Sequence, residues 1–157
     1  ADRCLVVVEY GLDRVLFIKL AVDSLKVAHV HTLGGCNLYG PFGVGFSQDR
    51  LIVADSCNHR CLTISLTGQV LSEFGCRGSG PGQFEYPECL AVFSNGNIAV
   101  SDKDNHRVQI FSASCAFQRY VPSDWGPGDT DPGLQPALGR LRGPMGLCCD
   151  KQDRLYV

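Results

Sequence analysis

Short apolar runs, separated by Gly, Asn, Asp or Ser, follow one another along most of the chain. The runs are rich in Val, Ile, Leu and Phe, which is typical of β-strands. Asn95-Gly96 lies between two of them and marks a tight hairpin. No long segment shows helical periodicity without an interrupting Gly or Pro, so the pattern predicts an all-β fold. In the clearest region it predicts four strands, at Cys89–Phe93, Asn97–Ser101, Arg107–Phe111 and Ala116–Val121.

This strand pattern occurs in two copies that align residue by residue. The copy that begins at Pro41 aligns with the copy that begins at Pro87, and equivalent positions lie about 47 residues apart. Each copy holds an Asp followed three residues later by Asn-His-Arg. Four antiparallel strands in a repeat of this length are typical of one blade of a β-propeller. The shared polar residues are Asp55, Asn58, His59 and Arg60 in one copy and Asp102, Asn105, His106 and Arg107 in the other.

The stretch from Gly78 to Phe111 resembles an NHL repeat. The resemblance rests on Gly-Pro-Gly-Gln-Phe, then Pro and an apolar strand, then Asp-x-x-Asn-His-Arg-Val-Gln-Ile-Phe. The stretch from Pro41 to Ile64 is similar but ends in Cys-Leu-Thr-Ile. The resemblance implies an NHL-type propeller of six four-stranded antiparallel blades, a domain that is usually a docking surface. The architecture that this chain most resembles is that of tripartite-motif ubiquitin ligases, in which the propeller follows RING, B-box and coiled-coil regions.

Incomplete copies flank the two whole repeats. Glu9 and Arg14 keep an acid and an arginine five positions apart, and Pro144 opens a further copy. Because six such blades need roughly 280 residues, we expect this chain to be about half of the ring and to need the remaining blades for closure. We divide it into a partial blade (1–35), two blades (36–75 and 76–121), an inserted loop (122–143) and the start of the next blade (144–157).

The polar residues of the repeated motif are predicted to order the turn between two strands. An Asp side chain accepts backbone N–H groups, Asn suits a left-handed turn position, and Arg can reach the Asp carboxylate. The same structural role is expected of Glu9 and Arg14 in the first copy. His59 and His106 occupy matching turn positions, where they could order the turn or contact a partner. The predicted turn residues are therefore Glu9, Arg14, Asp55, Asn58, Arg60, Asp102, Asn105 and Arg107.

The remaining chemistry of the sequence points away from catalysis. The glycines of Gly78–Gly82 are followed by neither a Lys nor a helix, so they are not a phosphate loop. His29 and His31 with Cys36 form the best zinc-like group, but an exposed outer strand explains the two histidines equally well. We therefore predict no catalytic residue, no metal and no cofactor.

Composition restricts the cellular compartment and the classes of ligand that we expect for this chain. Nine cysteines cannot all pair within one chain, and neither Cys-x-x-Cys nor an N-glycosylation sequon occurs, so we expect reduced thiols and a cytoplasmic protein. Fourteen Lys and Arg against 16 Asp and Glu give a formal charge of −2, which is not that of a basic nucleic-acid module. The longest uncharged stretch, Val27 to Gln48, contains His, Asn, Pro and Gly, so no membrane span is predicted.

Strand alternation predicts which loops share a surface. Turns between second and third strands (9–14, 55–60 and 102–107) should lie on one face with the linkers between blades (34–40, 75–86 and 121–143), and we call this the linker face. The linker from 121 to 143 is longer than its equivalents and contains the only Trp, and long loops on a rigid scaffold often carry function. Candidate binding residues on this face are Trp125, Asp124, Asp129, Arg140, Arg142, His59, His106 and Lys103.

The sequence therefore predicts a non-enzymatic scaffold that binds a protein partner. The resemblance further implies a setting for it, as the substrate-recognition part of a tripartite-motif ubiquitin ligase. Two alternatives stay open. Some NHL propellers bind RNA through a basic face, but acids outnumber bases on the predicted linker face. Related propellers also include a zinc-dependent lyase of peptide amidation, which would need convergent metal-binding histidines.

Overall fold

The computed structural model describes residues 3–21, 26–33, 37–47, 49–121 and 141–157. Within these ranges the strands form four antiparallel sheets that follow one another along the chain. The first sheet contains β1 (Arg3–Glu9), β2 (Arg14–Leu20) and β3 (Val27–Leu33). The second contains β4 (Pro41–Ser47), β5 (Arg50–Asp55), β6 (Arg60–Ser65) and β7 (Val70–Phe74).

The third sheet contains β8 (Pro87–Val92), β9 (Ile98–Asp102), β10 (Arg107–Phe111) and β11 (Phe117–Tyr120). The last contains β12 (Cys148–Cys149) and β13 (Leu155–Tyr156). The two complete sheets confirm the predicted all-β fold of four-stranded antiparallel blades, each with its strands in sequence order. No helix in the described part of the chain is long and apolar enough to cross a membrane.

The third sheet differs slightly from the prediction at its central hairpin. β9 begins at Ile98 rather than Asn97, because Asn97 closes the turn: its backbone N–H donates to Asn95 Oδ1 and its carbonyl accepts from Phe93. β9 also extends to Asp102, which pairs with Arg107 in the antiparallel register. The strand therefore carries the motif Asp into the sheet, where its side chain is fully buried.

Neighbouring sheets pack through their first strands. β4 contacts β8, and β8 contacts β12, so successive first strands lie side by side as the inner strands of propeller blades do. At Gly43 the approach between β4 and β8 is so close that a Cβ atom would collide with the carbonyl oxygen of Glu88. The glycine is therefore required by the contact between sheets.

The core lies between the sheets rather than inside any one of them. β5 shows why, because it is buried on both faces: Leu51 and Val53 pack toward the first sheet, and Ile52 and Ala54 pack toward the third. Alternate residues of one strand thus join two separate apolar clusters. A third cluster, Ala91, Ala99, Val108 and Ile110, packs against residues of the last sheet.

Candidate functional site

The turn between β9 and β10 is held by the carboxylate of Asp102. Its Oδ1 accepts the backbone N–H of Glu85 at 2.7 Å. Its Oδ2 accepts Arg107 Nε at 2.7 Å and Asn105 Nδ2 at 2.9 Å, and Gln109 Nε2 donates to it at 3.1 Å. Burial raises the pKa of Asp102, while the hydrogen bonds from Glu85, Asn105 and Arg107 act in the opposite direction. The carboxylate therefore ties the turn to the linker that precedes its own blade.

The second sheet repeats this network. Asp55 Oδ1 accepts the backbone N–H of Tyr39 at 2.7 Å, and its Oδ2 accepts Arg60 Nε at 2.9 Å and Asn58 Nδ2 at 2.8 Å. In the first sheet Arg14 donates to Glu9. The structure thus places all eight of the predicted turn residues at three corresponding turns, two with the full network and one with the acid–arginine pair alone.

The histidines of the motif join each blade to the linker that follows it. His59 Nδ1 accepts the backbone N–H of Tyr86 at 3.2 Å, and His106 Nδ1 accepts that of Gly143 at 3.1 Å. In the first sheet Asp13 takes the same position, and its Oδ1 accepts the N–H of Gly40 at 2.6 Å. We call these three contacts the latches.

Both sides of each latch have unusual backbone geometry. The acceptors Asp13, His59 and His106 have φ of 49°, 54° and 56°, in the left-handed region that Asp, Asn and His tolerate best among residues with a Cβ. The donors directly precede a proline and also have positive φ, 55° at Gly40, 56° at Tyr86 and 56° at Gly143. The linker therefore turns sharply just before it enters the next blade.

A cavity of about 290 Å³ opens on the linker face, where residues of the first three sheets and their turns and linkers meet. We call it the linker-face cavity. Three aromatic rings stand around it and are partly exposed: Tyr10 (55%), Phe42 (46%) and Tyr86 (38%). The rings of Tyr10 and Phe42 meet edge to face at 6.0 Å, and Tyr86 stands edge to face with His59 at 4.6 Å. The lining consists of Tyr10, Phe42, Ser56, Cys57, Tyr86, Glu88, Lys103 and Asp104.

The polar part of this cavity is built around Glu88. Its Oε1 lies 2.7 Å from Lys103 Nζ, and only 7% of its side chain is exposed. The other carboxylate oxygen, Oε2, is buried without a hydrogen-bond partner. The ion pair with Glu88 raises the pKa of Lys103. At the other side of the cavity, the Tyr10 hydroxyl lies 3.9 Å from Cys57 Sγ, and this contact raises the pKa of Tyr10.

Five of the six basic residues described on the linker face, all except Arg142, lie beside carboxylates. Arg60 pairs with both Asp55 and Glu73, and Arg77 pairs with Glu85. Arg14, Lys103 and Arg107 have the partners given above. These carboxylates offset most of the positive charge on the described part of the face.

Several candidate binding residues fall on or near the inserted loop. Trp125, Asp124, Asp129 and Arg140 lie outside the described residues. Arg142 is exposed and directly precedes the latch donor Gly143, so this end of the loop is fixed beside His106. Lys103 lines the linker-face cavity, whereas neither His59 nor His106 does.

The zinc-like group of the sequence is described only in part. The rings of His29 and His31 lie 5.6 Å apart, and His31 Nδ1 is buried without a hydrogen-bond partner. Cys36 lies outside the described residues. Among the residues that are described, no group of three or more His, Cys, Asp or Glu side chains could hold a metal ion.

A second cavity, of about 340 Å³, opens on the opposite face between hairpins of three successive sheets. Its lining includes Phe46, Ser94, Cys149 and Asp153. Asp153 Oδ1 accepts the backbone N–H of Ser94 at 2.7 Å, and Asp153 also accepts the hydroxyl of Ser94. This contact joins the last sheet to the third one on the face that the latches do not reach.

Comparison with known proteins agrees with the repeat and the fold. Residues 84–111 match the NHL repeat family. The chain is 35% identical to the Protein brain tumor of Drosophila melanogaster over 120 residues, which is 74% of this chain and 10% of that protein. It is 43% identical to the human E3 ubiquitin-protein ligase TRIM32 over 42 residues, which is 27% of this chain and 6% of that protein. The stretch 84–111 of this chain therefore belongs to the NHL repeat family.

The fold also matches a solved structure at low sequence identity. The virginiamycin B lyase of Staphylococcus aureus superposes with a TM-score of 0.66 at 14% identity, over 96% of this chain and 43% of the lyase. Such a likeness concerns the fold alone. The chain spans no more than a tenth of the two curated relatives and less than half of the lyase.

The residues of the linker-face cavity are the part of the site that sequence reasoning missed, apart from Lys103. Tyr10, Phe42 and Tyr86 lie in different repeats and at non-equivalent positions, so no repeat alignment brings them together. One signal was present in the sequence: Glu88 is an acid within an otherwise apolar first strand, and a buried charge of that kind needs a partner.

Proposed function

We propose that this chain is a non-enzymatic part of an NHL propeller and that it binds a partner protein through its linker face. The observation that carries the proposal is the set of three partly exposed rings, Tyr10, Phe42 and Tyr86, around one cavity. Aromatic side chains dominate the energetics of protein interfaces, particularly where they surround a pocket that a partner can fill.

The framework beneath these rings supports this role. Each ring lies next to a latch or to a buried Asp network: Tyr10 is in the turn that contains Asp13, and Tyr86 is itself a latch donor. Such a surface loses little conformational freedom on binding, which favours affinity. We include Trp125 of the inserted loop among the proposed binding residues, and the end of that loop is fixed on the linker face at Gly143.

The relatives suggest a wider setting for this docking surface. One relative is named as an E3 ubiquitin-protein ligase, and the chain matches it over 42 residues. We propose that the parent protein uses the linker face to select its substrates for ubiquitin transfer, and that it does so in the cytoplasm. The chemistry of ubiquitin transfer would then belong to other parts of that protein.

RNA binding is the competing function. A positive groove would be needed, and RNA affinity would fall steeply with salt. The pairing of Arg14, Arg60, Arg77 and Arg107 with carboxylates works against such a groove. Protein binding is therefore the function that the described surface supports better.

Two phenylalanines of one strand provide a matched test. Phe42 is 46% exposed at the linker-face end of β4, and Phe46 is 57% exposed at the opposite end. We would purify the parent protein with its bound partners, with and without nuclease, and compare Phe42→Ser with Phe46→Ser. Our proposal expects a protein partner that survives nuclease treatment, is lost in Phe42→Ser and is kept in Phe46→Ser.

Two results would overturn the proposal. Binding that disappears with nuclease and weakens steeply with salt would identify RNA as the ligand. Equal loss in the two variants would show that the linker face has no special role, since both substitutions remove a similar exposed ring.

A further inference from the structure

The linker-face cavity holds an unsatisfied acceptor. Glu88 is 5% exposed, its Oε1 is engaged by Lys103, and its Oε2 has no hydrogen-bond partner. Buried carboxylate oxygens without a partner are rare because each costs desolvation energy. Because Glu88 is one of the residues that line an open cavity, its carboxylate is suited to a donor that arrives with a ligand.

The rings around the cavity favour a cationic donor. Tyr10, Phe42 and Tyr86 offer electron-rich ring faces, and a cation within about 6 Å of such a ring is attracted by its quadrupole. The tyrosines add no formal charge, and the contact with Cys57 raises the pKa of Tyr10 further above neutrality. The aromatic rings thus attract a cation, and because they carry no formal charge, no desolvation of an ionised ring opposes binding.

Charge and size restrict the ligand further. Glu88 and Asp104 line the cavity against the single lysine Lys103, so the charged lining has an excess of one negative charge. A volume of about 290 Å³ is at the lower end of the range for small-molecule pockets, and it suits one long side chain better than a larger ligand. Arginine fits these features best, because its planar guanidinium stacks on rings and donates several N–H groups to carboxylates.

We infer that the linker-face cavity receives an arginine side chain of the partner protein, with its guanidinium donating to Glu88 Oε2 and lying against the rings of Tyr10 and Tyr86. This inference rests on the proposed docking function and names the feature of the partner that the site recognises. No covalent step is involved, and Lys103 remains paired with Glu88 Oε1.

The probe is a pair of short peptides that differ only in charge. Acetyl-Gly-Arg-Gly-amide would be compared with the same peptide carrying citrulline, which has nearly the same shape but is neutral. Saturation-transfer NMR on the complete propeller that contains this chain measures weak binding of each. We expect a dissociation constant on the order of 1 mM for the arginine peptide and binding at least about tenfold weaker for citrulline.

Three variants locate the effect. Glu88→Gln keeps the shape of the side chain but removes its charge, and it should weaken arginine binding about tenfold. Asp104 is exposed, so Asp104→Asn should fold normally and weaken binding about threefold. Glu73→Gln is the matched control, because Glu73 pairs with Arg60 outside the cavity, and it should leave binding unchanged.

Equal binding of the arginine and citrulline peptides would overturn the inference, as would equal effects of Glu88→Gln and Glu73→Gln. These results differ from a failure of the docking function. If Phe42→Ser still abolished partner binding while the arginine peptide showed no preference, the face would dock proteins without reading a basic side chain.

Discussion

Single residues in this chain act across blade boundaries. Asp102 reaches back to the linker before its own blade, whereas His106 reaches forward to the linker after it. The Asp-Arg pair could be anticipated from its spacing, because residues five apart across a short turn face each other. The partner of the histidine could not be anticipated, since it lies 37 positions away and donates through a backbone N–H.

The latch at His106 can be tested by two substitutions. His106→Ala removes the acceptor and places Ala at a φ of 56°, so it should lower the free energy of unfolding by roughly 1–2 kcal/mol. His106→Asp should cost less than about 0.5 kcal/mol, because Asp13 already makes this contact in the first blade. Chemical denaturation measures both changes.

Hydrogen exchange at Gly143 distinguishes the latch from a local turn effect. Protection of its backbone N–H should fall in His106→Ala and remain in His106→Asp. If protection is the same in both variants, the histidine orders only its own turn and the blade-to-blade contact has no energetic role.

At the scale of elements, each four-stranded sheet follows from the apolar alternation and turn residues of its own sequence. The hydrogen bonds that join it to the next sheet differ between the linker face and the opposite face. The linker face uses the latches at Asp13, His59 and His106. The opposite face uses the hairpin contact between Asp153 and Ser94. The second contact depends on the single carboxylate of Asp153, so it should weaken in acid.

The contact at Asp153 predicts a pH effect. Hydrogen bonds from Ser94 hold the pKa of Asp153 below its usual value of 3.8. A group whose folded pKa is lowered stabilises the protein above its unfolded pKa and loses that contribution as pH falls. Protection of the Ser94 N–H should therefore decrease as pH falls from about 3.8 toward the lower folded value.

Asp153→Asn is the control for this acid effect. Asn tolerates the φ of 60° at this position and can accept the N–H of Ser94, but it does not titrate. The acid-dependent loss at Ser94 should disappear in this variant. A loss of the same size in both proteins would mean that another group governs the hairpin.

At the scale of the whole molecule, stability depends on how closely successive sheets approach. None of the described sheets has a core of its own, because β5 and its neighbours send alternate side chains into two different clusters. Gly43 sets the distance between β4 and β8 and thereby the positions of Phe42 and Glu88 in the linker-face cavity. Packing and site geometry are thus linked through this one residue.

Gly43→Ala tests that link. The added methyl group meets the backbone of Glu88, which cannot rotate away as a side chain could, so the free energy of unfolding should fall by about 1–3 kcal/mol. Gly11→Ala is the control, because a Cβ at Gly11 meets nothing within 4 Å. Equal stability of the two variants in thermal or chemical unfolding would show that β4 and β8 can separate without cost.

The sequence by itself determined the strands, their antiparallel order, the repeat and the Asp-Asn-Arg turns. These features depend on neighbours within one blade, where alternation of apolar residues and turn chemistry act over short distances. The tight turn at Asn95-Gly96 and the ion pair of Asp102 with Arg107 are examples that a reader of the sequence alone could place.

Only the tertiary structure decided which residues of different blades meet. The linker-face cavity joins Tyr10, Phe42, Tyr86 and Glu88, which come from three segments and share no motif. The latches join a side chain to a backbone N–H. Because every residue except Pro has that donor, the sequence does not show which N–H the side chain accepts. The physical reason is the same in both cases: the contacts are set by how closely whole sheets pack, as at Gly43, and not by any local pattern of residues.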